Sequence, residues 1–84
     1  MEMEKAEKAI DGKGKVVLVR VGLRNTIETI IDARNGKIVE IVRSSNSIVA
    51  EEKVVKENCK VSRLLDNLYM YVINKGYKIE KVVV

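Results

Sequence analysis

Alternating apolar positions fill the first half of the chain and predict strands there. Residues 15–23, 26–33 and 37–43 are rich in valine and isoleucine, whose branched side chains favour strands. The short polar segments between them contain Gly22 and Gly36, and glycine supplies the backbone conformations that tight turns need. We therefore predict an antiparallel three-stranded meander.

The turn at Asn35-Gly36 leaves two registers open for the second hairpin of this meander. A two-residue turn sets Ile31 opposite Glu40. A turn followed by a glycine bulge sets Ile31 opposite Val39 instead. We favour the second register because it collects apolar side chains on one face of the sheet.

The second half of the chain changes period and predicts a helix over residues 60–75. Its apolar residues recur at spacings of three and four, the pattern of one helix face. They are Val61, Leu64, Leu65, Leu68, Val72 and Ile73. Gly76 follows and can adopt the left-handed conformation that ends a helix. Residues 77–83 then read as a returning C-terminal strand.

Two segments are less regular. Residues 44–59 fit neither period, so a fourth strand and a short helix both remain open. The serine-rich start can cap a helix or make a hairpin turn, and we favour the helix slightly. Residues 1–14 are charged and end in Gly12-Lys13-Gly14, so we predict a loose N-terminal arm. Residues 15–84 then form a single α+β domain, a two-layer arrangement of sheet and helix.

Apolar side chains occur on both faces of the predicted sheet, although one helix shields only one face. We assign Val17, Val19, Val21, Ile27, Ile31, Val39 and Ile41 to the inner face. The opposite face and the C-terminus keep further aliphatic residues, and exposed patches of this kind mark interfaces. The residues that we expect to mediate self-association are Leu18, Ile30, Ile38, Val42, Val82 and Val84.

The charge balance suggests a second function. The chain of 84 residues has a formal net charge of +4, with acidic and basic residues mixed along its length. A cationic sheet face with an exposed tyrosine could hold a phosphate backbone and stack a base. The residues that would form such a nucleic-acid site are Arg20, Arg24, Arg34, Lys37, Arg43 and Tyr71.

The chain lacks residue types that many catalytic and metal-binding sites need. The chain has no histidine and one cysteine, Cys59, so it cannot assemble a structural zinc site by itself or pair a nucleophile with histidine. Gly12-Lys13-Gly14-Lys15 precedes a strand, whereas a phosphate-binding loop follows a strand and opens a helix. We therefore predict no enzyme, no metal and no cofactor.

Composition bears on the compartment. A lone cysteine fits a reducing environment, the charged N-terminus does not resemble a signal peptide, and no apolar run is long enough to cross a bilayer. These features predict a cytoplasmic protein without a membrane partner. The abundance of valine, isoleucine, lysine and glutamate also resembles thermophile proteins, although the absence of proline does not favour that origin.

Two hypotheses of function follow. The first is a small non-enzymatic assembly or protein-interaction module that acts as a homo-oligomer, at least a dimer. It depends on the surplus of aliphatic side chains in the strands. The alternative is a small basic nucleic-acid-binding protein that uses a cationic sheet face.

Overall fold

The computed structural model describes residues 2–84 as an α+β fold with two helices and a five-stranded sheet. The elements in chain order are α1 (Glu2–Asp11), β1 (Lys15–Val21), β2 (Asn25–Asp32), β3 (Lys37–Ser44), β4 (Glu51–Lys56), α2 (Val61–Asn74) and β5 (Lys78–Val83). The strand order is β4-β3-β2-β1-β5, and all neighbouring strands are antiparallel. The predicted α+β class, meander, main helix and returning C-terminal strand are confirmed.

The N-terminal segment is not the loose arm that we expected. Within its described part, α1 packs against β1, β5 and α2, and Ala6, Ala9 and Ile10 are fully buried. Alanine has the highest helix propensity and no long side chain, so Ala6 and Ala9 let the helix approach its neighbours closely. A count of large apolar residues underrates a helix that packs through alanine.

Gly14 makes the connection from α1 to β1 possible. Its backbone N–H donates to the carbonyl oxygen of Ala9. A Cβ atom built on Gly14 would lie 2.9 Å from that same oxygen and would collide with the carbonyl of Val83. The glycine in this loop therefore has a packing role, because only a residue without a side chain fits between α1 and β5.

The ambiguous segment 44–59 contains the strand β4 and not the helix that we favoured. β4 pairs with β3 and extends the meander to four strands. It lies at the edge of the sheet, where charged residues such as Glu51, Glu52 and Lys53 remain in contact with water. Edge position therefore reconciles this polar sequence with a strand.

Neither predicted register of the hairpin between β2 and β3 is correct. Ile31 lies opposite Ile38 and Asp32 opposite Lys37, so four residues, 33–36, form the loop. The carboxylate of Asp32 accepts hydrogen bonds from the backbone N–H groups of Arg34 (3.0 Å) and Asn35 (3.4 Å). It also accepts one from Nδ2 of Asn35 (2.7 Å). This side-chain capping of the loop by Asp32 replaces the tighter turn that we expected.

The assignment of the two sheet faces is wrong for β1 and β3. Both helices pack on the face that carries Leu18 of β1 and Ile38 of β3, which we had assigned from the sequence to the opposite side. We call this the inner face. Its fully buried members include Val16 and Leu18 of β1, Ile31 of β2 and Ile38 of β3, which form one core with Leu64 and Leu68 of α2. The predicted inner residues Val17, Val19, Val21, Val39 and Ile41 lie on the opposite face.

The described helices also bear on membrane insertion. The longest of them, α2, has 14 residues. Among residues 2–84, no helix has both the length and the hydropathy to cross a membrane.

Candidate protein-interaction surface

The outer face of the sheet, the face away from both helices, is lined by two rows of side chains that cross all five strands. In strand order, the first row is Val54, Val39, Ile30, Val17 and Lys81. The second row is Glu52, Ile41, Glu28, Val19 and Lys78. Six of these ten side chains are aliphatic, so the middle of the outer face is an apolar patch.

The side chains of this patch differ in exposure. Val17 is 9% exposed, Val54 is 41% exposed, and the four aliphatic side chains between them are half-buried. The buried residues of α1 and α2 belong to the core on the inner face, so within residues 2–84 no helix packs on the outer face. The patch is therefore open to solvent in a single chain.

Charges on the outer face are placed unevenly. Glu52 lies at the β4 side of the sheet, whereas Lys78 and Lys81 lie at the β5 side. Glu28 lies on the central strand, where its Oε1 atom is 3.7 Å from Nε of Arg43. Exposed ion pairs of this kind contribute at most about 1 kcal/mol. Within the two rows, the β4 side therefore carries a carboxylate and the β5 side two ammonium groups, with Glu80 between these two lysines along β5.

Both edges of the sheet carry features that oppose strand addition. A register shift between Ile38 and Val39 makes Val55 an extra residue in β4. A second shift between Val17 and Leu18 makes Glu80 an extra residue in β5. Bulges and charged side chains are the devices by which natural sheets discourage pairing at their edges. Contact through the outer face does not require pairing at either edge.

The six predicted self-association residues fall into three places. Leu18 and Ile38 are fully buried in the core, and Val42 and Val82 are half-buried and pack against it from the inner face. A partner has no access to Leu18 or Ile38 in the folded chain. Ile30 lies in the middle of the outer face.

Val84 is 80% exposed and directly follows the end of β5. The aliphatic residues that accompany Ile30 in the two rows of the outer face were missed, because sequence reasoning had placed four of them in the core. They are Val17, Val19, Val39, Ile41 and Val54.

The predicted nucleic-acid residues do not share a face. Arg20 is on the inner face, where its Cζ atom lies 5.4 Å from the centroid of the Tyr77 ring, and Arg43 is on the outer face beside Glu28. Arg24 lies in the loop between β1 and β2. Arg34 lies in the loop that joins β2 to β3, and Lys37 is the first residue of β3, at the end of that strand farthest from Arg43.

Tyr71 is not an open platform for a base. Its ring is half-buried and makes an edge-to-face contact with Tyr77, with the ring centroids 5.5 Å apart. Burial raises the pKa of the Tyr71 hydroxyl above its ordinary value, and the neighbouring Tyr77 and Glu40 add to this effect. The tyrosine belongs to the packing between α2 and the sheet.

Groups capable of catalysis are scattered. Across residues 2–84, no three side chains of the metal-binding types come together. Cys59 is half-buried, and its Sγ atom lies 3.8 Å from the carbonyl oxygen of Glu57. The loop that includes Lys13 lines an open cavity of about 410 Å³ together with Lys15, the first residue of β1.

The backbone N–H groups of this loop are already used. Those of Gly12, Lys13 and Gly14 donate to carbonyl oxygens at the end of α1, so they do not form a cradle for phosphate.

Comparisons with known proteins add no functional information. Protein-family models, curated proteins and solved structures give no significant match to this chain.

Proposed function

We propose that this protein is a non-enzymatic assembly module that works as a homo-oligomer and that the outer face of its sheet is the interface. The observation that carries the proposal is the open patch of six aliphatic side chains, with Ile30 near its centre. Contiguous exposed apolar surface of this kind is uncommon on monomers and marks interaction sites. With its lone Cys59 and no disulfide to maintain, the module suits the cytoplasm.

The outer face is large enough for a specific interface. Five strands spaced about 4.8 Å apart and about 22 Å long give roughly 500 Å² of projected surface per copy. A face-to-face pair therefore covers about 1,000 Å² or more, the size at which specific interfaces begin. At about 25 cal/mol per Å² of apolar area, covering the patch supplies several kcal/mol toward association.

A second copy fits this face better than a nucleic acid does. Glu28 and Glu52 lie among the aliphatic residues, and carboxylates repel phosphates. The basic residues Arg20, Arg24 and Arg34 are distributed over different faces and ends of the sheet. A mobility-shift titration at several salt concentrations distinguishes the functions, since the alternative requires salt-sensitive binding to DNA or RNA.

Substitution of Ile30 by aspartate tests the proposal. The variant Ile30→Asp places a charge in the middle of the interface of each copy, and burying an unpaired charge is costly. In sedimentation equilibrium at micromolar concentration, we expect the wild-type chain to associate and the variant to have a Kd at least about a hundredfold higher. Circular dichroism checks that the variant remains folded.

Ile73→Asp is the matched control. Ile73 is an isoleucine on α2 that is 65% exposed, on the helix side of the molecule. We expect the Ile73→Asp variant to associate with the same Kd as the wild-type chain. A strictly monomeric wild-type chain, or an Ile73→Asp variant that dissociates as readily as Ile30→Asp, contradicts the proposal.

A further inference from the structure

We propose that two copies pack outer face to outer face about a twofold axis that runs parallel to the strands. In this arrangement β4 of each copy lies over β5 of the other, and Glu52 of each lies beside Lys78 of the other. The inference rests on the proposed function, since it specifies how the second copy is oriented on the same face.

Symmetry leaves two simple ways to stack two sheets of this kind. The twofold axis lies in the plane of the interface, either parallel or perpendicular to the strands. The parallel axis exchanges the two edges of the sheet between the copies. β4 of one copy therefore covers β5 of the other, and β2 covers β2. With the perpendicular axis, each strand covers its own counterpart, so β5 covers β5.

The charges on the outer face distinguish these two orientations. The perpendicular axis brings Lys78 and Lys81 of one copy over the same two lysines of the other, and the acidic residue of that strand, Glu80, is the extra residue outside the two rows. The parallel axis brings Lys78 of each copy over Glu52 of the other, so its one like-charge contact within the two rows is between the two Glu28 carboxylates, each of which lies near Arg43 of its own chain. Opposite charges across an interface set orientation and exclude the alternative, because like-charge contacts are costly.

The aliphatic rows also match under the parallel axis. Because the pairing registers place each row straight across the sheet, Val39 of one copy covers Val17 of the other. Ile41 covers Val19 in the same way, and the two Ile30 side chains meet near the axis. Each aliphatic side chain of β1, β2 and β3 in the two rows therefore finds an aliphatic partner.

A cycle of charge reversals tests the orientation. The variants are Glu52→Lys, Lys78→Glu and the double variant, and their dimer Kd values are measured by sedimentation equilibrium. The pair occurs twice in a symmetric dimer, so we expect each single reversal to raise the Kd about tenfold. The double variant restores the wild-type Kd to within about threefold, since it exchanges the two charges without removing the pair.

Matched controls change the same charges elsewhere. Glu51→Lys alters a neighbour of Glu52, and the side chain of Glu51 points away from the outer face. Lys5→Glu alters an exposed lysine on α1. Both leave the Kd within about twofold of the wild-type value. The milder pair Glu52→Gln and Lys78→Met gives smaller shifts in the same direction as the reversals, and it provides a second measurement if a reversed variant folds poorly.

The outcomes separate this inference from the proposed function. A wild-type chain that stays monomeric overturns the proposed function. A dimer that is disrupted by Ile30→Asp but has no rescue in the double variant overturns the orientation alone. A dimer that is tightened by Lys78→Glu by itself indicates the perpendicular axis, because that change relieves the contact between lysines.

Discussion

The two faces of the sheet are built from the same kinds of side chain, yet only one of them is the core. On the inner face, Leu18, Ile31 and Ile38 are fully buried beneath the helices. On the outer face, Val19, Ile30 and Val39 have similar side chains and are only half-buried. Aliphatic content therefore does not decide which face is the core; the packing of α1 and α2 does.

The comparison is sharpest within β2, where Ile30 and Ile31 are adjacent and point to opposite faces. We expect Ile31→Ala to lower the free energy of unfolding by about 2–5 kcal/mol, because it removes a fully buried side chain and leaves a cavity. Ile30→Ala shortens a half-buried side chain and costs about 1 kcal/mol in dilute protein. Urea unfolding at submicromolar concentration measures both.

Protein concentration separates the two variants further. Association stabilises only the folded chain, so the stability of the wild-type protein and of Ile31→Ala rises with concentration. The Ile30→Ala variant loses most of that rise, because Ile30 lies in the proposed interface. Equal losses for both variants in dilute protein would show that the outer face is packed as tightly as the inner one.

The inverted faces show why sequence reasoning found the fold but not the site. The period of the strands identified β1, β2 and β3, and the helical period identified α2. The faces were assigned by collecting apolar residues on one side of the sheet, which left Arg20 and Glu40 on the other side. Arg20 lies over the Tyr77 ring, and half-buried Glu40 is near enough to raise the pKa of Tyr71. Tertiary neighbours therefore accommodate two charged residues on the helix side.

Other parts of the fold depended on contacts that no local pattern reveals. The four-residue loop between β2 and β3 depends on the carboxylate of Asp32. The packing of α1 depends on the small size of Ala6 and Ala9. A signal for the outer face was nevertheless present in β2, where Glu28 alternates with Ile30 and neutral Thr29 alternates with Ile27 and Ile31. The face of β2 that carries the charged residue Glu28 is the face that the helices leave open.

Thr29 provides a second, smaller test of the comparison. It is fully buried on the inner face, and within the described part of the chain its Oγ1 atom has no hydrogen-bond partner. Because an unsatisfied buried hydroxyl is costly, we expect Thr29→Val to raise the free energy of unfolding by about 1 kcal/mol. Thermal and urea unfolding measure the gain.

The matched control is Thr26→Val on the outer face of the same strand, where the hydroxyl is half-exposed and water can satisfy it. This substitution changes stability by less than about 0.5 kcal/mol. If Thr29→Val lowers stability, then the hydroxyl makes a hydrogen bond in solution, for instance to a buried water, and the inner face is less dry than its packing indicates.

Glu28 gives the smallest effect and the one most specific to the outer face. Its carboxylate is paired with Arg43 in the single chain, and the side chain of Arg43 is 57% exposed, so water can replace the pairing. We therefore expect Glu28→Gln to change the stability of the dilute chain by less than about 0.5 kcal/mol.

Association responds differently, because the central strands of two copies cover each other about the proposed axis and bring the two Glu28 carboxylates near one another. Like charges in that position oppose the dimer, so Glu28→Gln lowers the Kd, by about threefold at low ionic strength and less when salt screens the repulsion. Sedimentation equilibrium at two salt concentrations measures this change, with Glu57→Gln, in the loop before α2, as the control. A weaker dimer for Glu28→Gln would mean that the carboxylate meets a cation of the second copy, which requires an axis displaced from β2.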